Sequence, residues 1–308
     1  MAAAISGKGY DIVVVGGGIT GLTAVSQAVD YGLSAALFEA GPLFGGQVGT
    51  VRLIEGYPSL NPMSGPGLAT AMVDEARRNR VVVVEEAVRE IVVNKVGFRV
   101  SAESQAVSCR VVVVATGCRH RELDVPGAGA LMGRGISHCA SCDGPLFRDQ
   151  AVVVVGGGDA ALQEAALLAP ICRSVNIVVR NNLRARKKFI DRVRSLKNVQ
   201  FVWDSTIGAV LGESVVTGVR VKNHEDGTET ELPCEGIFPF IGNLPNTEFV
   251  QNMLKRSEDG HLLTTDSFMT SQPGIYAVGA VRHGFPGEVS CAAGEAAAAI
   301  KSIAITLG

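Results

Sequence analysis

The chain has 308 residues, 47% of them hydrophobic and 19% charged, with 28 Lys+Arg against 30 Asp+Glu for a formal net charge of −2. That apolar share builds real cores and excludes wholesale disorder, and the near-balanced charge excludes a global basic field for a nucleic-acid backbone. At about 150 residues per domain the length predicts two domains.

The predicted elements alternate from the start. Asp11–Val15 reads as a strand, Gly21–Tyr31 as a helix and Ala35–Phe38 as a second strand. Pro66–Asn79 follows as a helix, and Val82–Val93 and Gly97–Ala102 as alternating, antiparallel strands. Arg110–Ala115, Ala151–Val155 and Val175–Val179 are further Val-rich strands, whose unbroken apolar content fits burial on both faces of a parallel sheet. Ala160–Leu168 and Arg186–Leu196 read as helices, Val215–Asn223 as an alternating strand before the Asp226-Gly227 turn, and the alanine-rich Gly287–Leu307 ends as a helix. The fold class is therefore α/β, with a strand–glycine turn–helix–strand unit that occurs twice.

No uninterrupted apolar run reaches the roughly 18 residues of a membrane span. Residues 1–9 carry neither a basic patch nor an apolar stretch, so no signal peptide is expected. Seven cysteines without such a signal predict a reducing cytoplasm rather than a disulfide scaffold.

The first repeated unit carries G-x-G-x-x-G at Gly16, Gly18 and Gly21. Gly16 permits the tight turn, Gly18 the approach of backbone to a pyrophosphate, and Gly21 close packing of helix on sheet. Glu39, about 20 residues on at the end of the next strand, is the expected acceptor for a ribose diol. The second unit has Gly156, Gly158, Asp159 and, at the third glycine position, Ala161, which the pattern tolerates. Its next strand ends in Arg180, with Arg184 and Arg186 close behind. Arginine attracts a 2′-phosphate that an acid repels, so this site favours NADPH over NADH. Two dinucleotide sites imply two cofactors, and a flavin with a nicotinamide is the pair used for electron relay.

Cys139-Ala140-Ser141-Cys142-Asp143-Gly144 lies just ahead of the second unit. C-x-x-C places two sulfurs where a disulfide forms and breaks reversibly. Zinc is the rival ligand, but a structural site wants four donors and no second C-x-x-C or H-x-x-x-H exists. Asp143 is a candidate proton carrier or helix cap, and His138 a thiolate stabiliser or a turn histidine. Cys109, Cys172 and Cys234 read as single packing thiols, Cys118 follows a strand-end turn, and Cys291 opens the last helix, where a thiol pKa falls.

Taken together these residues resemble the low-molecular-weight thioredoxin reductases, flavoproteins of the pyridine nucleotide-disulfide oxidoreductase type. The shared segments include Gly16–Gly21, Gly45-Gly46-Gln47, Glu55-Gly56-Tyr57-Pro58, Ala115-Thr116-Gly117, Cys139–Gly144, Gly156–Ala161, Phe240-Ile241-Gly242 and Pro245-Asn246-Thr247. The resemblance implies two Rossmann-like domains, the second inserted into the first: a discontinuous FAD domain (1–117 and 246–308) and an NAD(P)H domain (118–245) carrying the cysteine pair. It implies flavin contacts from Thr20, Gly46, Gln47, Thr116 and Gly117. It also implies that Cys142 faces the flavin, Cys139 attacks a partner disulfide and Asp143 is the acid/base, in a homodimer. The electron acceptor would be a thioredoxin-like protein; a small dithiol or disulfide handled by an oxidase, and a non-enzymatic redox sensor, are the alternatives. No nucleic-acid or membrane partner is expected.

Four departures bear on the flavin and phosphate sites. Ala280 stands where the family has an acid and cannot accept a hydrogen bond. Gly287-Glu288 replaces an Arg-Gln pair, and Glu288 would disfavour an anionic reduced flavin. Val179-Arg180-Asn181 replaces His-Arg-Arg, and Gly56 an asparagine. FAD binding is still expected, because Gly16, Gly18, Gly21, Glu39 and Gln47 remain.

Overall fold

A computed structural model describes residues 9–55, 57 and 63–308; the replaced Gly56 and Pro58 lie outside the described residues. The chain divides into two compact units, Met1–Arg119 with Leu244–Gly308, and His120–Asn243.

The first unit begins with β1 (Gly9–Val15), α1 (Ile19–Asp30), β2 (Ala35–Phe38), α2 (Gly65–Arg78) and β3 (Val82–Val84). Ser64 caps α2 by accepting from Gly67 N, and Pro66 sits in its first turn, where a missing N–H costs nothing. A hairpin follows, β4 (Glu90–Asn94) and β5 (Gly97–Ser101), then β6 (Ala106–Val114) and β7 (Cys118–His120). The order β3-β2-β1-β6 is parallel. The expectation of one antiparallel strand over Val82–Val93 is corrected: β3 joins the parallel sheet beside β2, and only β4 pairs antiparallel with β5.

The second unit holds α3 (Ala128–Leu131), α4 (Ala140–Asp143), β8 (Ala151–Val155), α5 (Asp159–Leu168), β9 (Ser174–Val178), α6 (Lys187–Arg194) and β10 (Val199–Val202). An antiparallel meander, β11 (Ser205–Leu211), β12 (Gly218–Asn223) and β13 (Glu229–Pro233), precedes β14 (Gly236–Pro239). Its sheet runs β10-β9-β8-β14, all parallel. The chain returns through β15 (Asn243–Pro245), and β16 (Ile275–Ala277) adds to β6 before the final helix α7 (Val289–Leu307).

The valine runs are explained by burial on two sides. In β1, Ile12 and Val14 pack with α1 and α7, while Val13 and Val15 face a second cluster with Val250, Leu254 and Leu262. In β8, Val152 and Val154 face α5 and α6, while Val153 and Val155 face the meander. Alternate side chains point to opposite faces, so a strand with two dry faces needs apolar residues at every position.

Among the described residues α7 is the one helix long and apolar enough to cross a membrane. Its Ala296, Ala299, Ile300 and Ile303 are fully buried in the first unit's core with Leu22, Ala24, Val25 and Ala28 of α1, so α7 is a core helix.

Candidate active site

In the first unit the chain leaves β1 through Gly16 at φ +110°, and a Cβ there would meet the carbonyl of Ala115. A Cβ on Gly21 would strike the carbonyl oxygen of Gly16, which fixes both positions as glycine. Gly18 is the N-cap of α1, which carries no capping side chain and no acid in its first turn. The first N–H groups of α1 thus lack an internal partner and form an anion-binding end. Gly18 also bridges to Gly45, and Gly46 sits at φ +56° with room for a Cβ only 3.3 Å from Gly18 Cα.

Glu39 turns back onto this loop. Its Oε2 accepts from Gly17 N and its Oε1 from Gly41 N at 2.9 Å. A carboxylate has about four lone-pair directions, so it can hold the loop and still accept from a diol. These features fit a dinucleotide whose pyrophosphate meets the start of α1.

The other residues expected around this cofactor are set by bonds within the same unit. Gln47 Nε2 donates to the carbonyl of Cys118 at 2.9 Å. Thr116 Oγ1 donates to Asn246 O at 2.7 Å, Asn246 Nδ2 returns to Thr116 O at 2.9 Å, and Asn246 N donates to Gly117 O at 3.0 Å. Thr20 lies against Gly279, where a Cβ would crowd its side chain. Ala280 offers only its carbonyl, which accepts from Cys118 Sγ. Glu288 is exposed at the N-cap of α7.

Sequence reasoning missed what holds the Gly279–Val281 turn. Glu295 of α7 is buried and accepts from Gly279 N at 2.8 Å and from Arg282 Nε at 2.9 Å, with a second guanidinium bond at 2.5 Å. A lone acid in an alanine-rich helix was the available signal.

In the second unit Gly156 stands at φ +136°, with Phe240 O where a Cβ would go. Ala161 is fully buried and its methyl would lie 3.3 Å from that Cβ, so here the third position has space that Gly21 lacks. Gly158 caps α5 without a side-chain bond, again an open helix start. Arg180 and Arg184 are exposed on the following loop, and Arg184 N donates to Gly157 O at 2.8 Å. This turn too fits a dinucleotide.

Ahead of that turn Cys139 and Cys142 form a disulfide, their Cα atoms 5.3 Å apart. Cys139 is the N-cap of α4: its Sγ accepts from Cys142 N at 3.2 Å, so the short helix closes the two-residue gap. Cys142 is exposed and Cys139 half-buried. Ser137 Oγ accepts from Cys139 N at 3.1 Å and donates to Asp143 Oδ2 at 2.5 Å, tying the carboxylate to the sulfur loop. Glu164 of α5, another residue not foreseen, accepts from Ala140 N at 2.8 Å. Burial raises the Glu164 pKa against the lowering effect of that bond.

His138 Nδ1 lies 3.0 Å from Pro239 O, which makes Nδ1 the protonated nitrogen, and buried Nε2 has no partner among the described residues. Its ring stacks on His120 with centroids 5.0 Å apart. Burial, then the neighbouring His138, lowers the His120 pKa.

Four of the five remaining thiols are of another kind. Burial pushes Cys109 and Cys234 up to about 12, and Cys118 and Cys172 to about 11. Such thiols stay protonated and inert at neutral pH. No group of three or more possible metal ligands occurs among the described residues.

The comparisons with known proteins agree with this geometry. Residues 10–296 match the family described as pyridine nucleotide-disulphide oxidoreductase. A thioredoxin reductase of Listeria monocytogenes is 34% identical over 89% of this chain and 86% of its own length. A bifunctional thioredoxin reductase/thioredoxin of Mycobacterium leprae is 36% identical over 88% of this chain and 60% of its own length. A crystal structure of Lactococcus lactis thioredoxin reductase superposes with a TM-score of 0.93 at 32% identity, covering 96% of this chain and 99% of that one. The chain belongs to the pyridine nucleotide-disulphide oxidoreductase family, among the low-molecular-weight thioredoxin reductases.

Proposed function

We propose that the chain is an NADPH-dependent flavoprotein that reduces a thioredoxin-like protein disulfide through Cys139 and Cys142. The observation that carries this is the disulfide itself: it is partly exposed, tied to a carboxylate, and seated one short segment ahead of a glycine turn in the same compact unit. When bound, FAD supplies the two-electron step between a nicotinamide and sulfur.

The chain's own residues do the rest. Gly16, Gly18 and Gly21 admit a pyrophosphate to α1, Glu39 holds a ribose, and Arg180 and Arg184 attract the 2′-phosphate of NADPH. In the reduced pair the Cys139 thiolate attacks the partner disulfide; one partner sulfur leaves and takes a proton from Asp143. The Cys142 thiolate then attacks Cys139 Sγ, which restores the Cys139–Cys142 bond and releases the second partner sulfur as a thiolate that takes its proton from water. Ser137 holds Asp143 beside this exchange. Thioredoxin as the partner is supported by the relatives' activities, including one chain that carries both functions. The reading includes a homodimer in a reducing cytoplasm, where five cysteines stay as thiols.

The test is steady-state NADPH oxidation by FAD-loaded protein with and without oxidised thioredoxin. The expected rate depends on the disulfide acceptor. A rate that is unchanged without it and is carried by oxygen would make the chain an oxidase instead.

A further inference from the structure

The two helix starts differ in one charge. The first turn of α1 has no acid, whereas that of α5 has Asp159. A carboxylate at a bare helix start is favoured by the dipole, yet it repels a pyrophosphate approaching the same end. The N-cap before Asp159 is Gly158, which has no side chain to cap the helix. Asp159 reaches to the loop after β9, where Oδ1 accepts from Arg186 N at 2.7 Å and Oδ2 from Arg186 Nε at 2.6 Å. The Arg186 guanidinium lies over the Phe189 ring, 5.0 Å from its centroid, which fixes it from the other side. With the bond from Arg184 N to Gly157 O, the loop is fastened to the glycine turn at two places.

Resting on the reading of this turn as a nicotinamide dinucleotide site, we propose that Arg186 is a positioning residue that neutralises Asp159, so that the pyrophosphate common to NADPH and NADH can approach α5. Of the three arginines behind β9, Arg186 is committed to the carboxylate. Arg180 and Arg184, both exposed, are left to discriminate the 2′-phosphate. Charge cancellation, rather than a direct contact with the cofactor, is the role of Arg186. The pair is partly exposed, with side chains 41% and 34% accessible, so its influence is strongest at low salt.

Calorimetric titration of the FAD-loaded protein with NADP+ and with NAD+ at low ionic strength tests this without turnover. Arg186→Ala is expected to weaken both nucleotides by the same factor, about tenfold. Asp159→Asn keeps an acceptor for Arg186 N–H while removing the charge. Added to Arg186→Ala, it should return both affinities to those of the unsubstituted protein, and Arg184→Ala should weaken NADP+ alone. Loss confined to NADP+ in Arg186→Ala would make Arg186 a 2′-phosphate reader and overturn the inference. Equal loss that Asp159→Asn does not rescue would reduce Arg186 to holding the loop, and overturn it as well. If the unsubstituted protein binds neither nucleotide, the reading of the turn itself falls.

Discussion

The two glycine turns share a backbone solution and part ways in charge. Both leave a parallel strand through a glycine at positive φ, Gly16 and Gly156, and both open a helix on an uncapped glycine. In the first, a carboxylate from the next strand folds back onto the loop: Glu39 bonds Gly17 and Gly41. In the second, the loop after the next strand carries exposed arginines and the acid moves to the helix itself, as Asp159, paired with Arg186. In the proposed function the glycines set where a dinucleotide lies, and the charges beside the turn select its ribose and phosphates. Among the described residues only the second unit adds a disulfide, Cys139–Cys142.

The largest expected effect separates the two turns functionally. Cys139→Ser should cut disulfide turnover at least ~10³-fold and leave anaerobic flavin bleaching by NADPH intact, read by absorbance. Retained disulfide turnover would remove Cys139 from its role.

Next in size is a change aimed at the first unit alone. Glu295→Ala strands the half-buried Arg282 guanidinium and frees Gly279 N. Breaking a buried pair from one side costs about 3–5 kcal/mol, so thermal unfolding should move down and flavin be lost while NADP+ binding by the remaining folded protein persists.

The third test sets the turns directly against each other. Gly21→Ala drives a methyl into a backbone carbonyl and should cost about 1–3 kcal/mol with lower flavin content. Ala161→Gly loosens a helix, at about 0.5–1 kcal/mol, and removes a buried methyl worth about 0.8 kcal/mol, and should spare the flavin. Denaturant titration and flavin stoichiometry check both; equal effects would break the comparison.

The smallest effect is a pH dependence in the second unit. Burial sets the folded pKa of Glu164 above its ordinary value. As pH rises between the two values, the unfolded chain gives up its proton first and stability falls. Glu164→Gln keeps an acceptor for Ala140 N and removes that fall. The Tm of the variant minus that of the parent should therefore grow across this window; a difference independent of pH would contradict it.

Much of this was legible before any coordinates because its causes are local. Strands dry on both faces must be apolar throughout, so β1, β6 and β8 are visible as Val and Ile runs. The glycine turns and C-x-x-C declare themselves by spacing. Val82–Val93 was misread because no glycine or proline marks the break after Val84; its first residues form β3, which pairs with β2 in a parallel ladder. The hidden part of the site is long-range: Glu164 reaches Ala140 across 24 residues, and Glu295 reaches Gly279 across 16. Neither contact has a spacing that sequence alone would single out.

The central claim is that electrons pass from NADPH through a flavin to the Cys139/Cys142 pair and on to a protein disulfide. The direct measurement is an anaerobic titration of FAD-loaded protein followed by flavin absorbance, first with NADPH and then with oxidised thioredoxin. Bleaching by NADPH followed by recovery of the oxidised spectrum, with one dithiol formed per flavin reoxidised, is the predicted result. Protein that takes up no FAD, or a flavin that stays bleached when oxidised thioredoxin is added, would contradict it.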